Sequence, residues 1–289
     1  MTFSLLPWVL DRLPGGWEVF HVGFSVMAAR YEELGLRQLL PIDRVWVGVR
    51  SSRTGCFGGF HHPDQGYRHL QMGAVVTRYG DLSRTATESS ALAALDLLRA
   101  YAHDCLHYGS YREYQMQGGK VVRTRYGINR RDAAGRTYSA PDPHGASSTR
   151  NLGIVMEGAT DREASSIARL AALRVGLAEP DGMDRFAFLD VTGQLTEDDL
   201  ARLPAEREDP GRRVTMEGFL SAMGSYNRGV NGRYQTFLAE VGGREADELH
   251  DLIAKAMISG SVASLSAWLD ARRGPGFDAL FRASSYTGL

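Results

Sequence analysis

A chain of 289 residues, 43% apolar and 23% charged, is long enough to bury a sizeable core and has the balance of an ordinary globular fold. Its formal net charge of -1 excludes the overall basic balance that draws proteins to nucleic acid or to anionic membranes. No apolar run reaches the length of a membrane span, so neither membrane nor nucleic acid is expected as a partner.

Met1 to Gly16 is apolar but lacks a basic leading region, and Asp11, Arg12 and Pro14 interrupt it, so no signal peptide is read. Residues 1–40 read as helical and partly amphipathic, with Leu34, Leu36, Leu39 and Leu40 ending before Pro41. Arg44 to Arg50 is a short β-rich run, and Gly55 to Gly59 is a glycine-rich turn. Tyr67 to Thr77 is a second strand candidate, with Leu70, Met72, Ala74 and Val76 alternating onto one face before a Gly80-Asp81 turn.

The strongest helical pattern runs over residues 86–107. Thr85 and Glu88 have capping-box spacing, Leu92, Leu95, Ala102 and Leu106 form the apolar stripe, and Gly109 is placed to end the helix. Residues 119–140 alternate and carry turn residues, as in a hairpin or small meander, and the basic cluster Arg123 to Arg131 within them reads as a solvated face. Residues 139–150 form a loop. A helix returns over 152–177 with two readings of its start: Thr160 capping with Glu163, or a continuous helix from Asn151. The remainder reads as helical, notably Arg244–Ile258 and Ser261–Arg273. The class is α+β, with a boundary near 178–210, where Pro180, Pro204 and Pro210 sit among many charges.

His103-Asp104-Cys105-Leu106-His107 carries the chemistry. Histidines four apart on a helix point the same way, so both imidazoles reach one ion. A carboxylate from a later segment completes a three-ligand site with one position left for water, the arrangement of catalytic zinc. Glu157, in Met156-Glu157-Gly158-Ala159-Thr160-Asp161, is the leading third ligand, with Glu163, Asp161 and Glu113 as fallbacks. Asp104 follows the first histidine, where a carboxylate can take a proton from the water that zinc has made acidic.

These two segments resemble the zincin metallopeptidases of the gluzincin type. There a His-Glu-x-x-His helix gives two zinc ligands, and a later Glu, often followed by Gly and an acidic residue, gives the third. The resemblance covers roughly residues 67–177. It implies a zincin-like α+β fold: a small mixed sheet, then ligand-bearing helices and a helical C-terminal part. It assigns His103, His107 and Glu157 to zinc and makes Tyr67–Thr77 the edge strand that holds the substrate main chain. The implied organisation is an N-terminal helical segment over 1–45, a metal-binding core over 46–180 and a helical subdomain over 181–289. Aspartate stands at 104 in place of the family's glutamate, which shortens the reach to water by roughly 1 Å.

The expected activity is zinc-dependent hydrolysis of a peptide or small amide substrate by a zinc-bound water. His250 is a candidate transition-state donor from the C-terminal helices. Tyr108, Tyr111, Tyr114, Tyr226 and Tyr234 are unranked oxyanion partners. The alternatives are a non-catalytic scaffold or zincin-like pseudoenzyme, and a metal-dependent biosynthetic enzyme that is not a peptidase. A second cluster, His61-His62-Pro63-Asp64 with His69, reads as a surface or substrate-contacting loop, because adjacent histidines on an extended segment face opposite ways. No Gly-x-Ser-x-Gly elbow, phosphate loop or Cys-x-x-Cys pair is present. The two cysteines, Cys56 and Cys105, make no disulfide framework and point to a reducing compartment, the cytoplasm. Cys105, in mid-helix, reads as a packing residue rather than a nucleophile.

Overall fold

The chain opens in an extended strand rather than the expected helix. In the computed structural model β1 (Thr2–Leu5) pairs antiparallel with β2 (Val45–Arg50), Phe3 opposite Gly48 and Leu5 opposite Trp46. Thr-Phe-Ser-Leu alternates over only four residues, too short a run to stand out against the leucines that follow; pairing with a distant strand decides it. Helices α1 (Leu6–Leu10) and α2 (Gly16–Glu33) come next. Helix α2 stops before Leu36. Gly35 takes a left-handed φ of 86°, and the N–H groups of Gly35 and Leu36 donate to the carbonyls of Glu32 and Tyr31 at 2.9 and 2.8 Å. Leu36 and Leu40 are therefore buried in an irregular segment, not on a helical face.

The structure describes residues 2–50, 58–62, 67–71, 87–131, 137–202, 223–273 and 276–282. They fall into two compact units, one drawn from 1–30, 39–105 and 162–226, the other from 31–38, 106–161 and 227–289. The first holds a four-stranded mixed sheet in the order β1-β2-β4-β3, with β3 (Gly58–His62) and β4 (Tyr67–Gln71). Strand β4 runs parallel to β2 and antiparallel to β3. It is thus flanked on both sides, and the expectation that Tyr67–Thr77 forms an open edge is corrected for its described part: its hydrogen bonds serve the sheet. Gly58 and Gly59 belong to β3 rather than to a turn. Gly55, Met72–Thr77, the Gly80-Asp81 turn and Thr85 of the proposed capping box lie outside the described residues.

The helix that carries His103 and His107 is α3 (Thr87–Gly109). Its stripe is buried as expected: Leu92 is 8% exposed, and Leu95, Ala102 and Leu106 are fully covered. In the first unit Gly23 lets α2 approach α3 so closely that a Cβ there would lie 1.9 Å from a Leu98 methyl. Phe20 and Phe24 pack on Tyr101, whose hydroxyl donates to the Leu40 carbonyl at 2.5 Å. In the second unit Gly109 ends α3 against the Leu36 side chain, 1.7 Å from where a Cβ would stand.

Helix α4 (Leu152–Arg174) settles the two readings of its start. Asn151 caps it, its side-chain oxygen accepting the N–H groups of Gly153 and Ile154 at 2.9 and 3.3 Å. The Asp142 carboxylate accepts the N–H groups of Arg150 and Asn151 and the Thr149 hydroxyl. Thr160 is no cap: its hydroxyl donates to the Met156 carbonyl one turn back, at 2.9 Å. The helix is continuous, and Glu157 lies in its second turn.

Strands β5 (Arg112–Gln117) and β6 (Lys120–Tyr126) form a hairpin in the second unit, closed by Gly118-Gly119 with φ of 56° and 78°, and the short β7 (Asn129–Arg130) follows. The hairpin begins earlier than residue 119 because both faces of β5 are largely exposed and leave no apolar alternation to read. Helices α5 (Met183–Val191) and α6 (Glu197–Arg202) occupy part of the charged stretch near 178–210. After a π-turn at Asn227–Gly232 come α7 (Arg233–Gly242), α8 (Ala246–Ser259), α9 (Ala263–Arg273) and α10 (Phe277–Arg282). The class is α+β. Among the described residues no helix is long and apolar enough to cross a membrane.

Thr196 and Asp199 form the capping box of α6, each side chain bonding the other's backbone N–H at 3.1 Å. Hydrogen bonds from Arg185 and Thr196 lower the Asp199 pKa to about 2, from the usual 3.8. A depressed carboxylate stabilises the fold above its unfolded pKa and loses that contribution as pH falls from about 4 to 2. Asp199→Asn is therefore expected to cost about 1 kcal/mol at pH 7. The gap between denaturation midpoints of variant and wild type should close towards pH 2; a gap constant with pH would remove the carboxylate's role.

Candidate metal centre

Helix α3 sets His103 and His107 one turn apart on one side, and α4 brings Glu157 to them. One ligand atom from each of these three residues lies within 4.8 Å of the others. His107 Nε2 and a Glu157 oxygen are 3.2 Å apart. Two ligands of a tetrahedral zinc, each bonded at about 2.0–2.1 Å, stand roughly 3.3 Å apart, so this edge already has the size of a zinc site. Two nitrogens and a carboxylate are a donor set that suits zinc. The Glu157 side chain is 37% exposed and that of His107 12%, so solvent reaches the cluster from the glutamate side.

Glu157 owes its position to its neighbour. Gly158 lies against Tyr234, and a Cβ at 158 would be 2.4 Å from the Tyr234 Cβ and 2.6 Å from its Cγ. Those atoms sit at the root of a fully buried ring and cannot swing aside. Gly158→Ala gains about 1 kcal/mol of helix propensity but loses roughly 1–3 kcal/mol to overpacking. A net loss of stability is the expected result in a denaturant titration, and a variant at least as stable as wild type would show that the approach of α4 to Tyr234 is not tight.

Tyr126 is the residue that inspection of the sequence missed. Its hydroxyl is 2.6 Å from His107 Nδ1, and its ring stacks near the imidazole with centroids 6.0 Å apart. The hydroxyl also lies 3.4 Å from the His107 carbonyl, to which it donates. When Nδ1 carries the proton and donates to Tyr126, Nε2 presents its lone pair on the Glu157 side, as a metal ligand requires. Arg112 locks the same corner by donating to the carbonyls of His107 and Tyr108 at 2.7 and 2.5 Å, closing the end of α3. The Gly-Gly turn contains the signal for this: a two-residue loop at 118–119 folds residue 126 back beside residue 112, at the foot of the ligand helix.

The other expected residues lie as follows. Asp104 is buried, 3% exposed, beside His103. His250 is 6% exposed and its Nδ1 is 2.8 Å from the Tyr234 hydroxyl, a buried pair outside the clustered ligand atoms. Of the fallback ligands, Glu163 is held by two bonds from Arg30 at 2.6 and 2.9 Å, Asp161 is buried, and Glu113 pairs with Arg125 at 3.7 Å. Among the tyrosines, Tyr111 packs against Gly260, Tyr114 stands exposed on the hairpin and Tyr234 is taken by His250. Cys105 is fully buried, which fits packing rather than nucleophilic attack. In the second histidine cluster, His61 lies on β3 opposite Arg68, and His69 on β4 lies opposite Phe60. Pro63 and Asp64 of that cluster, and Cys56, lie outside the described residues.

Comparison with known protein families, with curated proteins and with solved structures finds no match for this chain.

Proposed function

We propose that this protein is a zinc-dependent hydrolase that cleaves a peptide or amide bond, with the metal held by His103, His107 and Glu157. The observation that carries the reading is the convergence of those three ligand atoms within 4.8 Å from two separate helices. Chance explains a histidine pair on one helix; it explains poorly a carboxylate from another helix arriving at the same point. The order of the ligand helices supports the resemblance to gluzincins, and the internal position of β4 departs from it.

A zinc ion held by His103, His107 and Glu157 would supply Lewis acidity and an acidified water. The chain's own residues do the rest. Tyr126 fixes the tautomer and aim of His107, and Arg112 holds the turn that carries it. Gly158 and Tyr234 seat Glu157. Asp104 is the carboxylate that would accept the proton. A fully buried free thiol at Cys105 suits a reducing compartment, and the cytoplasm is the proposed location.

Tyr126→Phe removes one part-buried hydroxyl and its bond to His107, and is expected to weaken zinc binding about 10- to 100-fold while costing the fold no more than about 1 kcal/mol. Competition with a fluorescent chelator measures this; equal affinities would end the orienting role of Tyr126. The function is tested by the metal content of protein purified without chelator, followed by a screen of peptide and non-peptide amide substrates. About one zinc per chain and chelator-sensitive cleavage are expected, and cleavage of only non-peptide amides would move the protein to a biosynthetic role.

A second reading has one specific observation in its favour. Both ring nitrogens of His107 already face protein partners, Tyr126 at 2.6 Å and Glu157 at 3.2 Å, and with the proton on Nε2 that contact is a hydrogen bond that needs no ion. On that reading the protein is a non-catalytic scaffold. Absence of metal even after incubation with zinc would put it first.

A further inference from the structure

The β5–β6 hairpin carries a feature that the metal site does not use. Across residues 111–131 six cationic side chains accompany one carboxylate, in a chain whose net charge is -1. One face of the hairpin is also apolar and open: Tyr114, Met116 and Val121 are 55%, 68% and 69% exposed. Met116 pairs with Val121 and Tyr114 with Arg123, so all four share that face.

The same face leads to the candidate metal centre. The register shifts between Glu113 and Tyr114, leaving Thr124 as an extra residue on β6. In a regular strand Arg123 and Tyr126, three apart, would point to opposite faces. The bulge returns them to one side, and the Arg123 guanidinium lies 4.5 Å above the Tyr126 ring. The Tyr126 hydroxyl then meets His107. Arg112, on the same ring, is committed to the carbonyls at the end of α3. Arg123 is exposed, and among the described residues no carboxylate pairs with it. Among the described residues β5 is the outer strand of its sheet, an edge at which another strand can add.

We infer that the hairpin is the docking surface for an extended acidic peptide, whose main chain adds to the edge of β5. Its apolar side chains cover Tyr114 and Met116, and a carboxylate meets Arg123. Charge complementarity selects the partner: residues 111–131 carry six cations and one carboxylate, Glu113, which pairs with Arg125. That this peptide is the substrate rests on the hydrolase reading above, whereas its binding does not.

Three labelled decapeptides test this, identical except at four alternate positions filled with Glu, Gln or Lys. Fluorescence anisotropy is read with the wild type, Arg123→Gln and Met116→Ser, beside phosphatidylserine vesicles as a separate probe, and zinc content is measured on the same samples. The Glu peptide is expected to bind at least about tenfold tighter than the other two. Arg123→Gln should remove most of that preference, and Met116→Ser should weaken binding of the Glu peptide while sparing the preference. Both positions are exposed, so the fold tolerates the changes. A Glu peptide that binds no better than the Lys peptide overturns the inference, as do vesicles that bind where the peptide does not. Zinc present without the acidic preference sinks only the docking surface; the preference present without zinc sinks only the hydrolase reading.

Discussion

His103→Ala, His107→Ala and the double variant are expected to lose zinc while remaining folded. Apparent zinc free energies of about 10–16 kcal/mol are shared over a ligand set, so removal of one of three protein ligands should cost roughly 3–5 kcal/mol, or about two to four orders of magnitude in affinity. The fold should survive because neither histidine belongs to the buried stripe. His103 is half-buried, and the core of α3 is made by leucines and alanines on another side of the helix. Glu157→Gln separates the two readings more finely. Gln keeps the volume and a hydrogen bond to His107 but loses the charge that an ion needs. A zinc protein loses affinity in this variant and a scaffold changes little, since its half-exposed carboxylate contributes about 1 kcal/mol at most. Equal zinc binding by wild type and the double histidine variant, measured by elemental analysis after dialysis, would end the assignment.

Local pattern made part of this protein legible. The stripe of α3, the end of that helix at Gly109 and the helices α8 and α9 follow from periodicity and turn residues, because each satisfies its apolar face and its caps within a short window. The histidine pair was legible for the same reason: spacing along one helix needs no knowledge of the fold. Convergence with Glu157 needed something a window cannot supply, namely where α4 starts and what it packs against. Asn151 and Asp142 settle the first, and Gly158 against Tyr234 settles the second. Strand pairing was the least legible. β1 is too short to announce itself, and β4 became an inner strand through partners far away in sequence. Tyr126 was missed because a strand tyrosine among arginines has no local mark; only hairpin register connects it to His107.

Asp104→Asn is expected to keep about one zinc per chain and the wild-type fold, and to lower kcat about 10²–10⁴-fold, the usual contribution of a positioned proton acceptor. Asparagine is chosen over alanine for a physical reason. Asp104 is 3% exposed, so Ala would leave a cavity and strand whatever polar groups now face the carboxylate, at roughly 1–3 kcal/mol. That loss would be indistinguishable from a catalytic one in a crude assay. Asn retains the volume and an acceptor oxygen but cannot take the proton. Helical geometry keeps the role open: successive side chains turn by about 100°, which puts residue 104 roughly 60° round the helix from residue 107. Its carboxylate is then on the flank of the ligand pair, with reach rather than direction in question. Asp104→Glu addresses reach. The added methylene restores the length of the related motif, and a rise in kcat with unchanged zinc affinity would show that the short side chain holds activity down. A buried site with no room for the methylene would answer instead with a lowered denaturation midpoint. Full activity in Asp104→Asn would remove Asp104 from the chemistry and leave it as a buried polar residue of α3.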